Sequence, residues 1–410
     1  MEKEFFAITD FLLSTSGMWE AFSRENYRVH WESAGKIIPF NPECMESVVI
    51  VTPSWFIEVD LSVVRALSSH YAVHWMILFQ KDLREYAPAD VVRLTDSLPV
   101  TLHIFQRKHR RLHPHNALLA FRVVREIASV PGARIYFNTL EDMYLLILSR
   151  LFFSSSRIII GVHDFIPHRK FSTLLIKFTH QLVYRLFRNF HFFSETQRRA
   201  FLQKYPHKRA WMIPMFVKDY GLPTTGGSLK RDRCHFLFFG QMRYNKGIDV
   251  LTEAINLLSE KTGSFLVTMA GAGTEAEKYR QEIRDQHCVK WDIRIIPDQE
   301  IPDLFSHTDF LVLPYRDVTQ SGPLWIAFRY GVPVIASDLT GFREWITEGE
   351  TGFFVPPEDP HALADTMFRA LHMTGEEKNR MQQNILQFVR IKLDPENITT
   401  AYRNMFSSAV

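Results

Sequence analysis

Cysteine is scarce in this sequence. The 410 residues contain three, Cys44, Cys234 and Cys288, scattered and without metal-ligand spacing. That excludes a disulfide framework and a cysteine-built metal site, and it points to a reducing compartment. Long apolar runs are also missing: the nearest to a spanning segment, YLLILSRLFFSSSRIIIG at 144–161, is broken by Arg150 and Arg157. The first residues, MEKEFFAITDFLL, lack the basic start and apolar core of a signal peptide, so a cytoplasmic location is expected. Residues 1–46 offer no interpretable chemistry and are read as an extension of unclear role.

What is present suits a soluble globular enzyme. Hydrophobic residues make up 46% and charged residues 23% of a chain long enough for two domains. Net charge is only +3, but it is unevenly spread: residues 101–200 hold 16 Lys and Arg against 5 Asp and Glu. A basic first half beside an acidic second half suggests that one half meets an anionic partner. Residues 219–233, DYGLPTTGGSLKRDR, are rich in Gly, Pro and Thr and lack periodicity, as an interdomain linker does. The expected division is 1–220 as first domain, 221–233 as linker and 234–391 as second domain.

The most informative stretch is HFLFFGQMRYNKG at 235–247. A buried strand, His235 to Phe239, runs into Gly240 and a polar loop with Arg243, Lys246 and Gly247. An apolar-periodic helix follows. A strand that turns at glycine and opens a helix aims backbone N–H groups and a positive dipole end at one point. Two cations there make a place for a diphosphate; the plainer reading is a surface loop with solvated cations.

Alternating strands and helices elsewhere imply parallel sheets, whose ligands lie beyond the carboxyl ends of strands. SVVIVT at 47–52 is the first strand, and the loop 53–59 after it has no glycine-rich signature. Strands are also expected at Val73–Phe79, Arg134–Phe137, Arg157–Val162 and Phe190–Phe193. His163 and Asp164 stand at such a strand end, where the histidine can meet a sugar hydroxyl or phosphate and the carboxylate can orient a polar neighbour; a histidine satisfied by backbone bonds is the alternative. Ser194 can cap the following helix. The cluster Arg107, Lys108, His109, Arg110, Arg111, His113 and His115 is either a solvated basic surface or a patch for anionic lipid headgroups or a pyrophosphate-linked acceptor. No recognition motif makes it a nucleic-acid patch. A helix over Phe171–Arg188, with Phe178 and Leu186 beside Lys177 and Arg185, either covers a sheet or rests on an anionic bilayer.

In the second half, Gly271 and Gly273 mark another close approach of backbone to a cleft. Ile293–Ile296 reads as a strand, and Pro297 begins a loop whose backbone can hold a base edge. Thr319, Gln320, Ser321 and Gly322 precede Pro323, a helix-start proline, so a second set of open N–H groups faces the same region. Glu344 reads as a helix-start carboxylate.

These phrases in this order, FFGQMRYNKG, MAGAG, DFLVLPY, GVPVIAS, TGFREWI and EGETGFFVPPEDP, resemble the GT-B glycosyltransferases of family 4, from Phe236 to about Leu371. The first half is similar only through VHDFIPH and FFSET. The resemblance implies an α/β fold of two Rossmann-like domains facing across a cleft, with a terminal helix near 392–410 crossing back to the first. It implies a retaining transfer from a nucleotide sugar to a saccharide or lipid-linked acceptor, without metal or other cofactor, in surface polysaccharide or glycolipid synthesis at the inner membrane face. Arg243 and Lys246 would bind the donor diphosphate. His163 would sit beside the transferred sugar with Asp164 supporting it. Gly240, Gly271, Gly273, Pro297, Thr319, Gln320, Ser321, Gly322 and Glu344 would complete the donor site. Two glutamates common in the family fall here at Val318 and Ile326, which marks a variant subset. A non-catalytic nucleotide-sugar-binding partner, or a transferase acting on a soluble sugar or sugar phosphate, stays open beside the main reading.

Overall fold

The computed structural model describes residues 45–80, 86–165, 174–224, 233–273 and 275–409. The chain divides after Pro42. The residues before that point lie outside the described ones, so the architecture below is that of the unit from Glu43 onward. The strands are β1 Ser47–Pro53, β2 Ala72–Phe79, β3 Val100–Gln106, β4 Arg134–Phe137, β5 Ile158–Val162, β6 Asn189–Phe192 and β7 Arg209–Met212, then β8 Cys234–Phe239, β9 Phe265–Ala270, β10 Val289–Asp292, β11 Phe310–Leu313, β12 Val334–Ser337 and β13 Gly352–Val355.

These form two sheets, ordered β3-β2-β1-β4-β5-β6-β7 and β10-β9-β8-β11-β12-β13, and every pairing is parallel. Strands such as SVVIVTP, IIIGV and FLVL are apolar on both faces because helices cover both sides of a parallel sheet. The strand order reverses between β1 and β4 in one sheet and between β8 and β11 in the other. Chains leave those neighbouring strands in opposite directions and open a crevice at the carboxyl edge.

The helices that position the site are α1 Ile57–Leu67, α2 His115–Ala128, α3 Met143–Phe152, α4 Leu174–Leu186, α5 Glu195–Lys204, α6 Ile248–Ser259, α7 Gly322–Arg329, α8 Thr340–Arg343 and α9 Pro395–Ser408. The last starts cleanly: Asp394 accepts the N–H groups of Glu396 and Asn397, and Pro395 stands at the first helical position. It lies on the first lobe, where Ile398, Tyr402, Met405 and Phe406 join Val48, Ile50, Trp75 and Tyr136 in one core. Arg134 and Arg209 donate to the carbonyls of Ala409 and Ser408, placing cations at the helix's negative end.

One expected strand falls elsewhere. Residues 293–296 lie outside the sheet, and the strand is the preceding Val289–Asp292, paired to Val267–Ala270 of β9. The register against β9 places the strand at this earlier run. Beyond Asp292, Arg294 ties itself to Asp292 and Glu300, which turns the chain away and leaves Ile295 84% exposed. Among the described residues no helix is long and apolar enough to cross a membrane.

Phe406 is fully buried although it comes from the last helix. Phe406→Ala is expected to cost about 3–5 kcal/mol, read as a lowered denaturation midpoint. Truncating the exposed Ile391 is expected to change stability by no more than about 0.5 kcal/mol.

Candidate functional site: a cationic turn at the meeting edge of two sheets

The turn after β8 is fixed by backbone touching backbone. Gly240 has φ 126° and donates its N–H to Ala270 O at 3.0 Å. A Cβ on Gly271 would stand 1.9 Å from Gly240 O, and one on Gly273 2.5 Å from Met242 O. The loops after β8 and β9 therefore run against each other with no room for side chains. Gly247, at φ 66°, opens α6 where a Cβ would lie 1.8 Å from Pro314 O. Arg316 pins the same turn. It donates to Tyr244 O at 2.8 Å and to both carboxylate oxygens of Asp249 at 2.7 Å, and lies 4.0 Å over the Tyr244 ring.

Two cations emerge from this rigid turn. Arg243 is exposed, and Lys246 is half-buried with its ammonium 3.7 Å from the centre of the Tyr315 ring. Burial, and then the charge of Arg243, push the Lys246 ammonium down to about 8, against a smaller opposing effect from Asp317. An anion bound there would relieve both causes.

A second donor set adjoins the turn. α7 starts at Gly322 with Ser321 at its N-cap, and Pro323 approaches within 3.6 Å of where a Gly240 Cβ would be. Open space lies where a Gly322 Cβ would stand. Ser321 is buried, and Gln320 Oε1 is a buried acceptor without a hydrogen-bond partner, as a site completed by a ligand would leave it. Thr319 is half-buried on the same loop, whose Val318 carbonyl would lie 2.6 Å from a Cβ on Gly341. Pro297 is exposed at the N-cap of the turn Asp298–Glu300, and Asp298 binds Lys218 at 2.8 Å, which also pairs with Glu58 of the first lobe. The structure thus gathers Gly240, Arg243, Lys246, Gly271, Gly273 and Ser321–Gly322 around the β8–β11 switch point. Val318 and Ile326 are half-buried and buried respectively.

Glu344 stands differently from its reading as a helix-start carboxylate. It follows the last residue of α8, so it lies at a helix end. Its carboxylate instead reaches the start of α5 in the first lobe, accepting from Ser194 Oγ at 2.6 Å and from the N–H groups of Glu195 and Thr196. The dipole that favours it belongs to the opposite lobe.

On the first lobe, His163 is oriented by a residue the sequence reading passed over. Its Nε2 lies 2.6 Å from Asn138 Oδ1, so Asn138 supports the ring. Asn138 donates to Asp60 at 2.6 Å, Thr52 donates to the same carboxylate at 2.5 Å, and Trp75 donates to Thr52 at 2.8 Å. The His163 ring lies between Phe56, at 3.9 Å, and Phe193, at 4.5 Å. Burial, with a smaller effect of His191, pushes His163 down to about 3, so the ring is neutral. Since Asn138 Oδ1 can only accept, the proton sits on Nε2 and the lone pair on Nδ1. Asp164 is half-buried near His180 and Tyr184. Both turn residues line a cavity of about 110 Å³ with Trp55, Phe56, Glu141 and His180. The missed signals were a polar residue straight after YF at 138 and an aspartate within an apolar helix face at 60.

The basic cluster is partly neutralised from within. Arg107 is buried against Asp142 and bonds Gln80 at 3.2 Å, and Arg111 pairs with Glu141 at 2.7 Å. Lys108 and Arg110 are exposed.

Residues 233–373 match the glycosyl transferases group 1 family. This match lies within the second lobe of the chain. The chain's fold is GT-B: the structure of Anabaena Alr3699/HepE with UDP and glucose superposes with a TM-score of 0.68 at 17% identity, covering 88% of this chain and all of that one. Among sequence relatives, the amylovoran biosynthesis glycosyltransferase AmsK of Erwinia amylovora is 29% identical over 167 residues, 37% of this chain and 41% of that protein. The D-rhamnosyltransferase WbpZ of Pseudomonas aeruginosa is 31% identical over 140 residues, 32% of this chain and 34% of that protein. The chain spans less than half the length of these curated relatives.

Burial pushes the Asp60 carboxyl up from 3.8 to about 7, against its bonds to Thr52 and Asn138. The folded chain therefore keeps this proton where the unfolded chain has lost it. Stability from this group is full below about 3.8 and falls as pH rises towards about 7. Asp60→Asn is expected to remove that slope, seen by comparing denaturation midpoints of the two proteins from pH 5 to pH 8.

Proposed function

We propose that this chain is a retaining glycosyltransferase moving a sugar from a nucleoside diphosphate sugar to a saccharide or lipid-linked acceptor, in surface polysaccharide or glycolipid synthesis. The observation that carries the reading is the pair Arg243 and Lys246, crowded together on a backbone-locked turn beside the open start of α7. Fixed positive charge in that position neutralises a departing nucleoside diphosphate without reorganisation and without a metal. Glu344 completes the donor side in this reading by exchanging its α5 contact for the sugar. On the acceptor side, Trp55 and Phe56 offer apolar faces to a sugar ring, and Glu141 and Asp164 offer acceptors to hydroxyls. Neutral His163, held by Asn138, presents its Nδ1 lone pair to a hydroxyl of the transferred sugar. The UDP-bound relative of the same fold and the polysaccharide glycosyltransferases among the sequence relatives support this reading.

The transfer is proposed to occur at the inner face of a membrane. Exposed Phe178 and Leu186 accompany Lys177 and Arg185 on α4, and exposed Leu112 accompanies Lys108 and Arg110 on the β3–α2 loop. Residues 171–173 and Lys170 of the expected amphipathic segment lie outside the described residues. A second reading, a non-catalytic nucleotide-sugar-binding partner, is favoured by the apolar residues at 318 and 326 where carboxylates are common. Release of free nucleotide from a donor by the purified protein would rule it out.

Titration with UDP, GDP and ADP is expected to reveal one bound nucleotide. In Arg243→Ala, Lys246→Ala together, affinity is expected to fall at least about 100-fold, two charge-assisted contacts at about 1.5–3 kcal/mol each, and transfer to stop. Lys246 must be protonated to hold phosphate, so affinity should decline as pH rises through about 8, and Lys246→Arg should abolish that decline. Unchanged affinity in the double variant would reject the phosphate role. Sedimentation with anionic liposomes should show binding at low salt that is lost at high salt; no binding at low salt would remove the membrane part.

A further inference from the structure

We propose that His109, His113 and His115, on the loop between β3 and α2, form a binding site for one transition-metal ion of the zinc, copper or nickel class. One ligating nitrogen from each ring lies within 4.8 Å of the others. The rings gather together: His109 and His113 stack with centroids 4.2 Å apart at 12°, and His115 lies tilted at 5.1 and 4.9 Å from them. Three nitrogens about 2.0–2.1 Å from a tetrahedral zinc ion would stand about 3.3 Å apart. The observed spread, up to 4.8 Å, is wider than this, and the exposed rings can rotate to close it.

The backbone beneath them is already held. Asn116 is buried and donates to Arg110 O at 2.7 Å and Arg111 O at 3.0 Å. Tyr144 donates to Leu112 O at 3.0 Å. Arg107 is bonded to Asp142 just before the stretch, and Arg111 to Glu141 within it. His113 Nδ1 carries a lone pair, since it accepts the His115 N–H at 3.3 Å. That bond is long, so a metal replaces it at small cost. The loop thus presents three imidazoles without the ordering penalty of a flexible segment.

The neighbouring charges select the kind of ion. Lys108 and Arg110 are exposed on the same loop, and His115 is the first residue of α2, at its positive end. A hard cation such as magnesium or calcium, held by charge and oxygen ligands, has no donor here and meets repulsion. An ion bound through imidazole nitrogen suffers the same repulsion but gains the stronger ligand bonds. Three protein ligands leave a fourth position open, and the same two cations favour an anion such as phosphate in it. The site lies on the first lobe, apart from Arg243 and Lys246, and contributes no step to the proposed transfer.

The test uses the full chain without a histidine tag, reduced, and titrated with zinc chloride alone in a non-chelating buffer. One equivalent bound at micromolar or tighter dissociation constant is expected. His113→Ala should weaken it at least 10-fold, and His109→Ala, His113→Ala, His115→Ala together should abolish it. Because all three rings are exposed, the metal-free variants should melt as the parent does. X-ray absorption on the zinc-loaded protein should report imidazole ligands and no sulfur. Absence of binding in the parent, or retention of the equivalent in the triple variant, would overturn the proposal. So would a sulfur-ligated ion.

Discussion

The carbonyl oxygen of Pro314 stands where any side chain at residue 247 would have to be. That one steric constraint fixes the turn after β8 against the end of β11. The positive φ of Gly247 then lets the chain enter α6 at once, so the turn can be only as long as Gln241–Lys246. Its two cations are confined to a space that Arg316, Asp249 and the Tyr244 ring have already shaped. The depressed ammonium of Lys246 is the electrostatic record of this confinement. A rigid frame that forces like charges together is destabilising alone and complementary to a dianion.

The two lobes meet through polar contacts of unequal weight. Half-buried Lys218 pairs with Glu58 and Asp298, whose carboxylates are exposed, and pairs to solvated partners contribute little. The carboxylate of Glu344 is more consequential, because three donors at the start of α5 converge on it in a partly buried place. The apolar link runs elsewhere: α9 carries Tyr402, Met405 and Phe406 from the end of the chain into the core of the first lobe. Polar contacts at the cleft and apolar anchorage behind it keep the carboxyl edges of both sheets opposed.

Much of this was legible in the sequence because it is local. Glycine-turn-helix phrases and apolar strand runs carry their own periodicity, so β8, its turn and α6 could be read directly. Pairings between distant residues could not. Asn138 and His163 are 25 residues apart, so this contact leaves no local mark in the sequence. Glu344 and Ser194 are 150 apart, so a carboxylate at a helix end looked like one at a helix start. Arg107 and Arg111 read as open positive charge because Asp142 and Glu141 approach only in the folded lobe. The strand expected at 293–296 falls instead at Val289–Asp292, where register against β9 places it, and register is a property of the sheet.

The central claim is that the turn between Gly240 and Gly247 is an anion site formed before its ligand arrives. It is tested most directly by measuring the Lys246 ammonium itself, with isotope-edited NMR across a pH series, in the absence and presence of saturating UDP. The account predicts titration near 8 without nucleotide and a rise well above that when the diphosphate is bound. Titration at the ordinary lysine value in the free protein, or a value unmoved by bound UDP, would contradict it.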